Sequence, residues 1–199
     1  MKNILQIISS PRGEASFSNQ LSNAIIEKIK AKHPAATVNT LDLNNQHYPH
    51  LEAAQLNAFF TPAADRTQEL NDAAFLSEDA VKELFDADAI VIGVPMYNFS
   101  VPSSLKAWID HISRAGVTFS YGSNGPEGLV KGKKIYIALA SGGIYSEGMM
   151  KENDFAEPYL KAVLSFLGMK DITTVRVEGL SMPGVQDTAL QKAISSIVI

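Results

Sequence analysis

The chain has 199 residues, 46% hydrophobic and 19% charged, with a formal net charge of −4 and no cysteine. That length and composition predict one ordinary globular domain over residues 1–199. The weak negative charge gives no footprint for nucleic acid, and the lack of cysteine removes disulfides, thiolate catalysis and cysteine metal sites together, in keeping with a cytoplasmic address. No apolar run approaches the roughly 20 residues of a membrane span. The opening stretch Met1 to Ile8 is interrupted by Gln6 and then by Ser9-Ser10-Pro11-Arg12, too early for a signal peptide, so it reads as a first strand from Asn3 to Ile8.

After the loop Ser9 to Phe17, the residues Leu21, Ile25 and Ile29 recur at helical spacing, with Ser16 or Ser18 as N-cap and Pro34 beyond the end. Val38 to Leu43 alternates as a second strand. From Asn44 to Arg66 the pattern weakens into an excursion with a helical turn near Leu51 to Phe60. A helix from about Thr67 to Phe85, either continuous or broken near Ser77, leads to the apolar run Ala89-Ile90-Val91-Ile92, a strand buried on both faces.

Gly93 to Pro102 then holds two prolines around Met96-Tyr97-Asn98-Phe99, a stiffened loop suited to a planar ligand. Leu105, Trp108, Ile109 and Ile112 stripe a helix that ends at Gly116. Val117 to Gly122 reads as a short strand or extended arm, and Asn124 to Gly128 as a turn. Ile135 to Ala140 is a fourth strand ending at Ser141-Gly142-Gly143, a helix runs from about Asp154 to Leu167, Ile172 to Val177 is a fifth strand, and a helix from about Asp187 carries Leu190, Ala193, Ile194 and Ile197.

Alternating strands and helices predict an α/β fold with a parallel sheet covered on both faces. For five strands of this length the flavodoxin-like three-layer order 2-1-3-4-5 is the expected topology. Ligand loops should then follow strands one and three, with the strand-four loop alongside. The first loop offers Ser10, Ser16 and Ser18 at a helix N-terminus, where unpaired amides favour a phosphate. The same serines could equally be a cap and a solvated turn. The loop is neither a Walker sequence nor G-x-G-x-x-G. Two glycines in Ala140-Ser141-Gly142-Gly143 let backbone approach a flat ring, although paired glycines most often mean only a turn.

The block Pro95-Met96-Tyr97-Asn98-Phe99, followed by Leu105-Lys106, Arg114-Ala115-Gly116-Val117-Thr118-Phe119 and Asn124-Gly125-Pro126-Glu127-Gly128-Leu129, resembles the FMN-dependent NADH:quinone reductases of the azoreductase family. Ser18-Asn19-Gln20-Leu21-Ser22 adds to the likeness, which spans essentially the whole chain. The resemblance implies FMN with its phosphate at Ser10, Ser16, Phe17 and Ser18, and its ring framed by Met96, Tyr97, Asn98 and Phe99 and by Ala140, Ser141, Gly142 and Gly143. It further implies hydride transfer from NADH or NADPH, then two-electron reduction of quinones in ping-pong order, cleavage of azo compounds, and a homodimer with sites near its interface. Members of the family can carry a bulky or charged residue in the strand-four loop; here its contacts are expected to be mostly backbone.

A flavin supplies the chemistry, so no catalytic acid, paired carboxylates or metal cluster is required. Aromatic walls suit flat acceptors, and Phe99, Phe119 and Tyr121 are candidates beside Asn98. The histidines carry less: Tyr48-Pro49 separates His47 from His50 and spoils metal spacing, His33 sits at a helix end, and His111 is expected at the surface. Lys131, Lys133 and Lys134 read as a solvated turn, from which a dinucleotide could use one. The competing class is a flavodoxin-like electron carrier, which would call for a stronger acidic bias than −4. A receiver domain would need an acidic residue where Gly93-Val94-Pro95 stands.

Overall fold

The computed structural model describes residues 1–123 and 125–199; Asn124, at the head of the expected turn, lies outside the described residues. In chain order the elements are β1 (Asn3–Ile8), α1 (Phe17–Lys32), β2 (Thr37–Asp42), α2 (Ala53–Phe60), α3 (Gln68–Asp86), β3 (Ala89–Pro95), α4 (Ser103–Ile112), β4 (Phe119–Gly122), β5 (Gly125–Gly128), β6 (Lys134–Ala140), α5 (Ala156–Phe166), β7 (Asp171–Val177) and α6 (Gln186–Ser196). Five of the strands form a parallel sheet in the order β2-β1-β3-β6-β7, the expected 2-1-3-4-5 when only these are counted.

Successive strand residues face opposite sides, and the buried residues divide accordingly. Leu5, Ile7, Ile90 and Ile92 join a core with Leu84 of α3, Trp108 of α4 and Leu160 of α5. Ile4, Val91, Tyr136 and Ala138 join another with Leu21 and Ile25 of α1 and Ala193 of α6. Every residue of β3 is buried, as a strand covered on both faces requires. Gly93 lets α1 come close, since a Cβ there would stand 3.4 Å from the Ser18 carbonyl oxygen.

Local signals explain the helix ends. The Ser16 hydroxyl accepts the Asn19 amide to cap α1, Thr67 does the same for Leu70 at α3, and the Asp154 carboxylate takes the amides of Ala156 (3.0 Å) and Glu157 (3.1 Å) at α5. The structure decides one option that the sequence left open, at α3, and departs from the sequence reading at three other points. Helix α3 is continuous through Ser77, whose hydroxyl leaves the helix to donate to the His111 carbonyl. Helix α4 stops at Ile112, before Gly116, because the Thr118 hydroxyl donates to the Ile112 carbonyl (2.6 Å) and accepts the Arg114 amide (2.9 Å), turning the chain. Gly125 to Gly128 is the second strand of an antiparallel hairpin with β4 rather than a turn. His111 is fully buried against Tyr48 and Phe59, with Nε2 donating to the Pro49 carbonyl at 2.9 Å, because the excursion folds over it.

The hairpin meets the end of α5 backbone to backbone: a Cβ on Gly128 would lie 2.1 Å from the Gly168 nitrogen, and Gly168 has φ +106. Overpacking there is expected to cost Gly128→Ala about 2–3 kcal/mol in urea unfolding. Gly122→Ala, whose nearest neighbour is 4.0 Å away, should stay within about 0.5 kcal/mol of wild type.

Burial lowers the pKa of His111 from its ordinary 6.5. The folded imidazole stays neutral while the unfolded one takes a proton below that pH, so this contribution to stability is full above 6.5 and declines as the pH falls through it. Midpoint denaturant concentrations measured at pH 7.5 and pH 5.5 should therefore fall with pH, with a shallower fall in His111→Gln.

Candidate functional site

The carboxyl ends of β3, β6 and β7 finish level, β1 ends two residues earlier, and the loops leaving all four surround one cleft. From the loop after β1 come Ser10, Ser16, Phe17 and Ser18, with the three serines buried. The Ser16 and Ser18 hydroxyls lie 3.0 Å apart, Ser10 Oγ accepts the Arg12 amide at 3.4 Å, and Ser9 Oγ donates to the Gly93 carbonyl at 2.7 Å. The backbone amides of Phe17 and Ser18, at the positive end of the 16-residue helix α1, have no acceptor among the described residues. Asn19 donates from Nδ2 to the Gly13 carbonyl while its Oδ1 is buried without a partner. Hydroxyls, unpaired amides and a helix terminus together make a donor set for a phosphate-sized oxyanion.

The loop after β3 contributes Met96 and Tyr97. Met96 continues the ladder, its amide donating to the Ala140 carbonyl at 2.8 Å. Tyr97 and Ser100 then exchange both backbone hydrogen bonds, at 3.0 and 3.1 Å, around Asn98 and Phe99 with φ of +49 and +71. Two consecutive positive φ values in a two-residue turn define a type I′ geometry. Asparagine tolerates it; phenylalanine does so at a cost of about 1–3 kcal/mol. The turn is fastened from outside by the Phe155 amide, which donates to the Phe99 carbonyl at 3.0 Å, and the Phe99 ring meets Tyr145 edge-on with centroids 6.2 Å apart.

The loop after β6 lines the cleft with Ala140, Ser141 and Gly142. Its carbonyls are already engaged: Leu180 donates to Ser141, Ser181 to Gly142 and Gly179 to Gly143. The amides of Gly142, Gly143 and Ile144 have no acceptor among the described residues, which leaves backbone donors at the rim. A Cβ on Gly142 would stand 2.8 Å from Ser181 Oγ, so glycine is what lets the loop after β7 close over it.

Ser10, Ser16, Phe17, Ser18, Met96, Tyr97, Ala140, Ser141 and Gly142 thus border one cleft. Gly143 is not among the residues that line it. Asn98 faces a neighbouring cavity of about 620 Å³, shared with Tyr97, that reaches Lys106 and Tyr159. Burial and the nearby Asp110 charge push the Tyr159 phenol up to about 12, so it stays a hydroxyl at neutral pH. Phe99 is exposed at the turn. Phe119 and Tyr121 border neither cavity: Phe119 rests on the Phe166 ring, centroids 4.7 Å apart, and Tyr121 is 73% exposed on the hairpin. Sequence reasoning passed over Arg12, Leu180 and Ser181, which complete the cleft. The signal for the last two was available, because a loop after β7 must leave the same sheet edge.

Among the described residues no group of three or more His, Asp or Glu is placed to hold a metal ion, and no helix is long and apolar enough to cross a membrane. The protein-family model described as flavodoxin-like fold matches residues 2–198. An FMN-dependent NADH:quinone oxidoreductase of Herminiimonas arsenicoxydans is 53% identical over 182 residues, 92% of this chain and 89% of that one. Among solved structures, an azoreductase from Bacillus anthracis strain Sterne superposes with a TM-score of 0.91 at 31% identity, covering 98% of this chain and 96% of that one. An FMN-dependent NADH-azoreductase from Bacillus anthracis strain Ames Ancestor, in complex with FMN, gives 0.85 at 26% identity over 98% and 97% of the two chains. The chain belongs to this flavodoxin-like family. Within it the chain stands among the FMN-dependent NADH:quinone oxidoreductases.

The Phe99 backbone gives a direct test of the turn. Phe99→Ala and Phe99→Gly lose the same ring, and only alanine retains the left-handed strain, so the glycine variant should be the more stable by about 1 kcal/mol in thermal or urea unfolding.

Proposed function

We propose that this chain, residues 1–199 acting as one FMN-binding domain, is an FMN-dependent NAD(P)H:quinone oxidoreductase that also cleaves aromatic azo compounds. The observation that carries the reading is the convergence of three loops on one cleft whose inner end presents the unpaired amides of Phe17 and Ser18 beside buried serine hydroxyls. That donor set fits a phosphate monoester. The other end fits a planar ring, with Met96 and Tyr97 along one border and the unpaired amides after Ser141 along another. Ser10, Ser16, Phe17 and Ser18 would hold the phosphate; Met96 to Phe99 and Ala140 to Gly143 would frame the isoalloxazine.

FMN, when bound, accepts a hydride from reduced nicotinamide and returns two electrons to a quinone or azo acceptor. What the chain adds is position. The helix terminus would fix the phosphate end, and the type I′ turn would fix a ring edge without a mobile side chain. Asn98 offers an amide and Phe99 an apolar face to whichever flat substrate lies over the ring. One face serving donor and acceptor in turn is the physical basis of a ping-pong order.

The chain is proposed to work as a homodimer. Phe60 (76% exposed), Tyr121 (73%) and Val117 (40%) put apolar surface on the excursion and the hairpin, where a soluble monomer would gain from covering it. Phe119 and Tyr121 line neither of the two cavities described above, so a role for them as substrate walls calls for the second copy. Sedimentation at working concentration should show a dimer, and a monomer would count against this part.

The cofactor is tested by the visible spectrum of protein reconstituted with FMN and by anaerobic stopped-flow mixing with NADH. Bound flavin should bleach rapidly and recover on adding a quinone; inertness to NADH would favour the electron carrier instead. Ser18→Asp places a carboxylate where the phosphate would sit. It should fold, since acidic residues suit a first helical turn, and should weaken FMN binding by about 100-fold or more, a like-charge juxtaposition costing several kcal/mol.

A further inference from the structure

A side-chain network outside the cleft ties two of its loops together. Arg176, on β7, contacts three carboxylates: Asp154, Glu157 and Glu178. Its Nε donates to Glu157 Oε2 at 3.1 Å and its Nη1 to Glu178 Oε1 at 3.2 Å, while Nη2 bonds both Asp154 and Glu157. All four side chains are at most 18% exposed, and Lys161 adds a second cation at 2.7 Å from Glu157. Burial alone would push the Glu157 carboxyl up, but hydrogen bonds from Lys161 and Arg176 and the Arg176 charge prevail and bring it down to about 2. Glu157 is therefore ionised at neutral pH.

Each of the outer carboxylates grips backbone that leads to the rim of the cleft. Asp154 caps α5 and immediately precedes Phe155, whose amide holds the carbonyl of the strained Phe99. Glu178 Oε1 accepts the amides of Tyr145 (2.8 Å) and Ser146 (3.0 Å), and its Oε2 takes the Ser146 hydroxyl. Phe99 and Tyr145 are the two rings that meet edge to face. Both partners of that contact are thus referred to a single guanidinium, whose planar fork can serve two carboxylates at once where an ammonium serves one point.

We propose that Arg176 is a positioning residue, setting the Phe99 turn and the Tyr145 loop in a fixed relation at the ring end of the cleft. The proposal rests on the FMN reading for its consequence in catalysis, and on the hydrogen-bond network alone for the tie itself. A left-handed phenylalanine persists only where its surroundings over-determine it, and here one of the two outside contacts on Phe99 comes from the segment that Asp154 anchors. Without the fork, Asp154 and Glu178 would repel across the site that Arg176 now fills.

The test compares wild type with Arg176→Lys, which keeps the charge and loses the fork. Amide hydrogen exchange on the flavin-free protein should show Phe155, Tyr145 and Ser146 exchanging about tenfold or more faster in the variant, with amides of β3 unchanged as the marker of intact global stability. In the reconstituted protein the FMN dissociation constant should stay within about twofold, because the phosphate end stands on α1. The rate of flavin bleaching at saturating NADH should drop about tenfold or more, since small misplacements of reacting groups cost rate steeply. Visible circular dichroism of the bound flavin should change with it. Wild-type protection at the three amides would overturn the proposal, as would lost protection with an unaltered bleaching rate. If wild type binds no FMN, the exchange measurement still decides the tie, and the functional reading is what fails. Should Arg176→Lys not fold, Glu178→Gln loosens the Tyr145 side alone and is read at Tyr145 and Ser146 in the same way.

Discussion

Parallel strands that end within two residues of one another at one edge of the sheet are the constraint from which the site follows. Ile8 pairs with Gly93, Pro95 with Ala140 and Ala140 with Val177, so four chain exits stand side by side. The ladder then continues one step past the strands: the Met96 amide donates to Ala140, Ser141 to Val177 and Leu43 to Ile8. Each exit loop is therefore held by its neighbour before it has any side-chain contact of its own. Gly93 is the complement on the third strand, since its missing side chain is where the first turn of α1 settles.

The two ends of the cleft are built on different physics. At the inner end the donors are backbone amides and short hydroxyls, fixed by a helix that is itself locked into the core through Leu21, Ile25 and Ile29. Little conformational entropy remains to be lost there when an anion is bound. At the outer end the chain adopts a strained turn and a glycine loop, and neither is rigid by composition. Their order comes from cross-loop bonds, with Gly179, Leu180 and Ser181 closing on the carbonyls of 141–143 and Phe155 closing on Phe99.

The central sheet, its order and the three cleft loops were legible because periodicity reports burial directly: the run from Ala89 to Ile92 and the stripe through Leu105, Trp108 and Ile112 sit where their patterns require. Features made by contacts between distant segments were not. His111 lies off the stripe of its helix, and only the excursion through Pro49 and Phe59 buries it. Gly125 to Gly128 carries turn residues yet pairs as a strand, because Gly128 must come within backbone contact of Gly168. Leu180 and Ser181 have no distinctive chemistry in sequence. The type I′ turn was hidden for a related reason, since Asn98-Phe99 lacks the glycine that normally announces one.

That last omission changes what the two prolines do. Pro95 completes β3, in register with Ala140, and Pro102 stands at the entrance to α4, so each fixes a boundary of the loop. The four residues that turn between them are governed by something else: two reciprocal backbone bonds and the Phe155 amide. A proline restricts its own φ and the residue before it, and neither restriction reaches Asn98 or Phe99. The stiffness of this loop is therefore supplied largely from outside it, by the start of α5 and, through Asp154 and Arg176, by β7. A segment 56 positions away along the chain, at Phe155, has become part of the backbone geometry at Phe99, which is how an unfavourable φ at an exposed phenylalanine is maintained.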